Sequence, residues 1–71
     1  MIIPATEAVL ADRLPADRST FFRAFKWYRY DEVLGDWKPY RQIIRNALRR
    51  TTSRLGLAYD EADADAIYDA I

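Results

Sequence analysis

Five carboxylates crowd the end of the chain, Asp60, Glu61, Asp63, Asp65 and Asp69, and five hydroxyls, Ser19, Thr20, Thr51, Thr52 and Ser53, fall in two short runs. Grouped carboxylates do general acid–base work or hold a hard cation, and a hydroxyl becomes a nucleophile when a base stands beside it. The 71 residues include neither histidine nor cysteine. Ser-His and Cys-His catalysis, thiol chemistry, disulfides and the usual zinc sets are therefore closed to this chain. A Ser-Lys pair needs a desolvated lysine, and nothing around Lys26 or Lys38 marks either as one. The acidic run opens a helical pattern, where carboxylates serve as caps and complement the helix dipole. There is no Gly-rich phosphate loop and no Asp-rich metal loop. We expect no catalytic residue in this chain, no metal and no cofactor.

Charge offers a second kind of chemistry. Eleven basic and eleven acidic residues cancel in total but not in place. All six charges from Trp37 to Arg54 are positive and all five from Leu55 to Ile71 are negative. Lys38, Arg41, Arg45 and Arg49 form one helical row, a surface suited to tracking phosphates. The same arrangement suits the dipoles of two successive helices and their pairing across a hairpin. Zero net charge and an isoelectric point near 6.1 set the expectation against nucleic acid.

These residues must be carried by elements, and Gly35, Gly56, Pro4, Pro15 and Pro39 divide the chain into four helical segments. The first is expected over 5–14, with Pro4 and Thr6 at its start, Pro15 at its end, and Ala8, Leu10, Ala11 and Leu14 on its apolar face. The second is expected over 18–34, capped among Asp17 to Thr20 and closed by a left-handed Gly35. Its aromatic residues lack strict alternation, and Phe21, Phe25, Tyr28 and Glu32 share a helical row beside that of Phe22, Phe25, Arg29 and Val33. The third is expected over 37–55, with Asp36 as N-cap and Pro39 in its first turn. Trp37, Tyr40, Ile44, Ala47, Leu48, Thr51 and Leu55 make its apolar stripe, and Gly56 followed by Leu57 reads as a Schellman end. The fourth is expected over 60–71, with Asp60 and Asp63 at its start, Tyr59 stapling onto Ala64, and Ala64, Ile67, Tyr68 and Ile71 on one face.

The fold class expected is all-α, a small bundle of four helices in one domain over residues 1–71. A composition 51% hydrophobic and 14% aromatic can form a core. In a chain this small, one core rarely supplies more than about 3–5 kcal/mol, and no metal or disulfide adds to it. A larger partner surface is expected. No stretch approaches the roughly 18 apolar residues of a membrane span, and MIIPATEAVLADR has no basic leader, so a cytoplasmic protein is the expectation. The last helical pattern stops at Ile71 without a cap, as expected of a segment of a longer polypeptide.

The run from Asp36 to Ile71 carries Trp37-x-Pro39-Tyr40-Arg41, then Ala47-Leu48-Arg49-Arg50, then Arg54-Leu55-Gly56-Leu57, then an acidic, Ala-rich helix. In that order and spacing it resembles the cap subdomain of type II haloacid dehalogenases, in the haloacid dehalogenase superfamily. Residues 4–34 resemble, more loosely, the passage from the catalytic core of that family into the cap's long aromatic helix. The resemblance implies a helical cap whose Rossmann-like core lies elsewhere in a parent hydrolase. It implies that the parent hydrolyses the carbon–halide bond of a 2-haloacid through an Asp nucleophile, in an Asp-x-x-x-Thr motif that this chain lacks. It implies substrate contacts at Arg23, which follows the aromatic Phe22, at Trp27 and at Tyr40, with Lys26 and Arg29 as alternative cations for the anionic substrate. A guanidinium suits that role because it stays charged and offers several donors. The partners implied are the core domain, a small anionic substrate and a second copy of the chain joined through the cap's apolar face.

Two other classes compete with that resemblance. One is a free-standing helical interaction module. The other is nucleic-acid binding through the row from Lys38 to Arg49.

Overall fold

The computed structural model describes residues 1–71 as four α-helices and no strand: α1 (Ile2–Leu10), α2 (Arg18–Leu34), α3 (Tyr40–Leu55) and α4 (Glu61–Ala70), with a 3-10 turn at Ala11–Arg13. Helix α3 lies between α2 and α4, and α1 packs on α4. Arg13, just past α1, pairs with Asp63 in the first turn of α4, so these two helices run antiparallel and both chain ends lie toward the same end of the bundle. No helix is long and apolar enough to cross a membrane.

The core is one cluster to which every helix contributes. Ala5 and Leu10 come from α1, Leu14 from the turn, Phe21 and Phe25 from α2, Ile44, Ala47 and Leu48 from α3, and Ala64 and Ile67 from α4. The α2 row predicted from Phe21 and Phe25 is the buried one, with Tyr28 half-buried beside it. Three threonines share this interior: Thr6, Thr51 and Thr52. Each hydroxyl donates to the carbonyl one turn back, Thr6 to Ile2 at 2.7 Å, Thr51 to Ala47 at 2.8 Å and Thr52 to Leu48 at 3.0 Å. Their methyl groups can then pack like valine without leaving a buried polar atom unpaired.

Helix boundaries differ from expectation at both ends of α1, at the start of α3 and by one residue at each end of α4. Helix α1 starts at Ile2 and not at residue 5, and Thr6 is a buried interior residue bonded to Ile2 and not a starting cap. Pro4 is tolerated there because a first-turn N–H has no intrahelical acceptor. The helix also stops at Leu10, ahead of 14, where Ala11 adopts φ 48°, and its buried side chains are Ala5, Thr6 and Leu10, with Ala8 and Ala11 exposed.

Helix α3 begins at Tyr40 and not at 37. Pro39 disfavours helical backbone at Lys38, the residue before it, and is itself extended (φ −61°, ψ 150°), its carbonyl accepting from Gln42 and Ile43 as the N-cap. Asp36 therefore caps nothing, and Trp37 leaves the apolar stripe to stand 87% exposed. Gly35 is extended (φ −81°, ψ −154°) and not left-handed. The end of α2 is closed from outside, by Lys38 Nζ donating to the carbonyls of Glu32 and Asp36, both at 2.9 Å. Helix α4 spans Glu61–Ala70, with Asp60 as its N-cap accepting from Ala62 and Ile71 outside it.

Gly56 behaves as predicted. At φ 72° it lets its own N–H reach Ser53 and that of Leu57 reach Thr52 at 2.8 Å, the two bonds of a Schellman end.

Candidate functional site

Helix α2 is anchored at its start by Asp17, which accepts from the Thr20 amide at 3.1 Å and from its hydroxyl. Burial of Phe21 and Phe25 then fixes the helix's rotation. Thr20, Ala24, Trp27 and Asp31 recur at four and three on the flank next to that row, turned toward the outer edge of α3. Arg54 stands on that edge and donates to the Tyr28 hydroxyl at 3.3 Å.

The result is a groove of about 260 Å³ between α2 and α3, lined by Thr20, Arg23, Ala24, Trp27, Tyr28 and Arg54. Its aromatic wall is unusually open, for Trp27 is 62% exposed and meets Tyr30 edge-on at 6.2 Å. Its two guanidinium groups make no ion pair with any carboxylate. Arg23 helps hold the Asp17 carboxyl below the usual carboxylate range, after the larger effect of the Thr20 hydrogen bonds. Free guanidinium groups beside an exposed indole are equipped to bind an anion.

Arg23 and Trp27 are thus brought together. Tyr40 is not with them. It sits at the start of α3 against α4, its ring 6.4 Å from that of Tyr68. The rival cations Lys26 and Arg29 line a neighbouring cleft with Arg23, Ile3, Ser19 and Phe22. Lys26 lies over the Tyr30 ring at 5.7 Å and Arg29 over Phe25 at 4.8 Å, and of the three cations Arg23 alone borders the Trp27 groove.

The basic row is dispersed. Arg41 reaches Asp65 and Asp69 (both 3.4 Å), and Arg45 reaches Glu61 at 3.2 Å and holds Asp65 with two hydrogen bonds of 2.8 and 3.0 Å. Those bonds from Arg45, and then the Arg41 charge, keep the Asp65 carboxyl below the usual range. Lys38 is turned back to α2, and Arg49 donates to Asn46 at 3.1 Å. Nor do the acidic residues of α4 gather as a metal site: no three carboxylates converge.

Helix α2 and helix α3 are tied by a third group, Glu32, whose side chain is 15% exposed. It accepts from Asn46 and Arg50 at 2.8 Å each, with Lys38 3.6 Å away. Chiefly the Asn46 hydrogen bond, then Arg50 and the Lys38 charge, lower its carboxyl against the opposing effect of burial.

Thr20 and Arg54 were missed as site residues by the sequence. In sequence Thr20 reads as a cap candidate and one of the hydroxyls, and Arg54 as a basic residue of α3 and the start of the Arg54-Leu55-Gly56-Leu57 motif. The signal that finds them is register: Arg50 meets Glu32 and Arg54 meets Tyr28, so a step of four forward on α3 matches a step of four back on α2.

No family model, no curated protein and no solved structure matches this chain, so the groove is read from its own geometry.

Proposed function

We propose that this chain is the helical cap of a haloacid dehalogenase-like hydrolase, closing over a core domain and holding an anionic substrate with Arg23. The observation that carries the reading is the free Arg23 guanidinium beside the open indole of Trp27, in one groove. Two further features support it. Trp37-x-Pro39-Tyr40-Arg41, Ala47 to Arg50 and Arg54 to Leu57 follow one another in the order of such caps. The antiparallel pairing of α1 with α4 carries both chain ends to one end of the bundle, as an insertion between parts of a core requires.

In the parent reaction a core Asp carboxylate attacks C2 of a 2-haloacid, forming a C–O bond as the C–halide bond breaks with inversion. Water then opens the ester and returns the carboxylate. This chain would supply neither nucleophile nor general base. Its part is to fix the substrate's charge through Arg23, to place Trp27 against the substrate and to exclude bulk water on closing. Tyr40, packed on Tyr68, takes no part in substrate contact on this reading.

The test is to express the chain with a dehalogenase-type core and follow halide release from 2-chloropropionate. Release that depends on the chain and falls about 100-fold with Arg23→Ala is the expected result. Failure of the chain to associate with such a core would overturn the proposal.

A helical interaction module is the second reading. It is favoured by Leu34 and Trp37, which stand 84% and 87% exposed with Val33 where α2 gives way to α3.

A further inference from the structure

We infer that the groove between α2 and α3 selects a flat aromatic acid, with Arg23 and Arg54 holding the acid group from two helices and Trp27 covering the ring. The inference deepens the assignment of Arg23 to an anionic substrate and rests on it. It does not need the core domain.

Three features of the groove carry it. First, Arg54 faces the same space as Arg23, and its one polar contact within the chain is a 3.3 Å hydrogen bond to Tyr28. That bond uses Nη1 and leaves the other donors of the guanidinium for a ligand. Arg23 comes from α2 and Arg54 from α3, so an acid group in the groove is offered charge by both helices.

Second, neither charge is taken up by an ion pair. The arginines at 13, 18, 41, 45 and 50 are each engaged by a carboxylate, whereas Arg23, Arg29, Arg49 and Arg54 form no ion pair, and of these four Arg23 and Arg54 are the two that line this groove.

Third, the rest of the lining is shaped for a plane. Trp27 and Tyr28 supply aromatic walls, and Ala24, one turn before Tyr28 on α2, keeps the space beside the indole clear with its single methyl. The Thr20 hydroxyl, at the end nearer the start of α2, is already given to Asp17 and leaves recognition of the acid to the arginines.

The experiment uses the full chain without any core. The chain has two tryptophans, so Trp37→Phe leaves Trp27 as the one indole. Its fluorescence is titrated with phenylacetate, acetate and phenylacetamide. Saturable quenching by phenylacetate, about ten-fold tighter than by either comparator, is the expected result. Arg54→Gln should weaken phenylacetate about ten-fold, and Ala24→Leu should abolish the preference over acetate while leaving acetate itself bound. Far-UV circular dichroism of each variant confirms the helices. Equal response to acetate and phenylacetate would overturn the aromatic selection, and equal response to phenylacetamide, or unchanged binding in a folded Arg54→Gln variant, would overturn the two-arginine clamp. Failure of this titration leaves halide release in the presence of a core as a separate result. Failure of the core experiment likewise leaves this binding to stand or fall alone.

Discussion

The guanidinium of Arg13 lies face to face with the carboxylate of Asp63, its two terminal nitrogens each 2.9 Å from one oxygen. Asp63 occupies the first turn of α4, where the helix dipole already favours its charge. Nη2 of Arg13 also donates to the Val9 carbonyl at 3.1 Å, closing the end of α1. One residue thereby joins the terminal helices and satisfies a carbonyl that the end of α1 leaves free. Arg13→Ala and Asp63→Asn should each lower the thermal midpoint, and the double variant should lose less than the sum of the two. The effect should shrink as salt is added, because the pair is partly open to solvent. Melts of the four proteins at low and high salt check both statements.

The two glycines should respond in opposite ways. Gly56 sits at φ 72° with open space where a Cβ would go, so alanine there meets no clash and suffers only the left-handed backbone. Gly56→Ala should cost about 1–2 kcal/mol. Gly35 is extended, and a Cβ would touch the Glu32 carbonyl at an ordinary 3.6 Å. Gly35→Ala should be neutral or stabilise by up to about 1 kcal/mol through the unfolded chain. Urea denaturation of both variants decides the matter.

That contrast also marks what local sequence can disclose. Gly56 was legible because the Schellman end is made wholly by residues 52–57 of one helix and its exit. Gly35 has the same spelling, a glycine after a helix, but the Glu32 carbonyl near the end of α2 is taken by Lys38 from beyond the turn. Trp37 fitted the three-four spacing of α3, and Pro39 excluded it by restricting Lys38. At the site, Arg23 and Trp27 are neighbours by helical period alone. Arg54 joins them only through the pairing of two helices, a relationship with no signature in either helix taken separately.

Stability should fall at both ends of the pH scale. In the folded chain Asp17, Glu32 and Asp65 are held below their ordinary values of 3.8, 4.5 and 3.8. As pH drops the unfolded chain takes up protons first, so the stability they contribute is complete above those ordinary values and is lost as pH falls through the lowered ones. Tyr59 works in the other direction. Burial lifts its hydroxyl above 10.0, so its contribution is complete below that value and is lost as pH rises through the lifted one. Glu32→Gln should flatten the acid limb more than substitution of an exposed carboxylate such as Asp12, since Glu32 accepts from two partners across α2 and α3. Removing its charge should cost about 1–2 kcal/mol near neutral pH. Thermal melts from about pH 3 to pH 11 trace both limbs.

The basic residues of α3 divide by what they face, and a polyanion tells the two groups apart. Arg41 and Arg45 looked, in sequence, like the centre of a phosphate-tracking row, yet both lie against the carboxylates of α4. A phosphate approaching them must displace Asp65 and then remain close to it. Arg23, Lys26, Arg29, Arg49 and Arg54 form no ion pair; Arg23, Arg49 and Arg54 line clefts between α2 and α3, and Lys26 and Arg29 line a cleft of α2 that Ile3 of α1 shares. Polyanion binding is therefore expected at these unpaired cations and not at Arg41 and Arg45. Arg45→Ala should lower the thermal midpoint and leave the salt concentration of elution from heparin unchanged. Arg54→Ala should do the reverse, lowering the eluting salt with little change in midpoint, because its one internal hydrogen bond is exposed. Earlier elution of Arg45→Ala at an unchanged midpoint would mean that the α4 carboxylates yield to phosphate, and would return the row from Lys38 to Arg49 to consideration as a nucleic-acid surface.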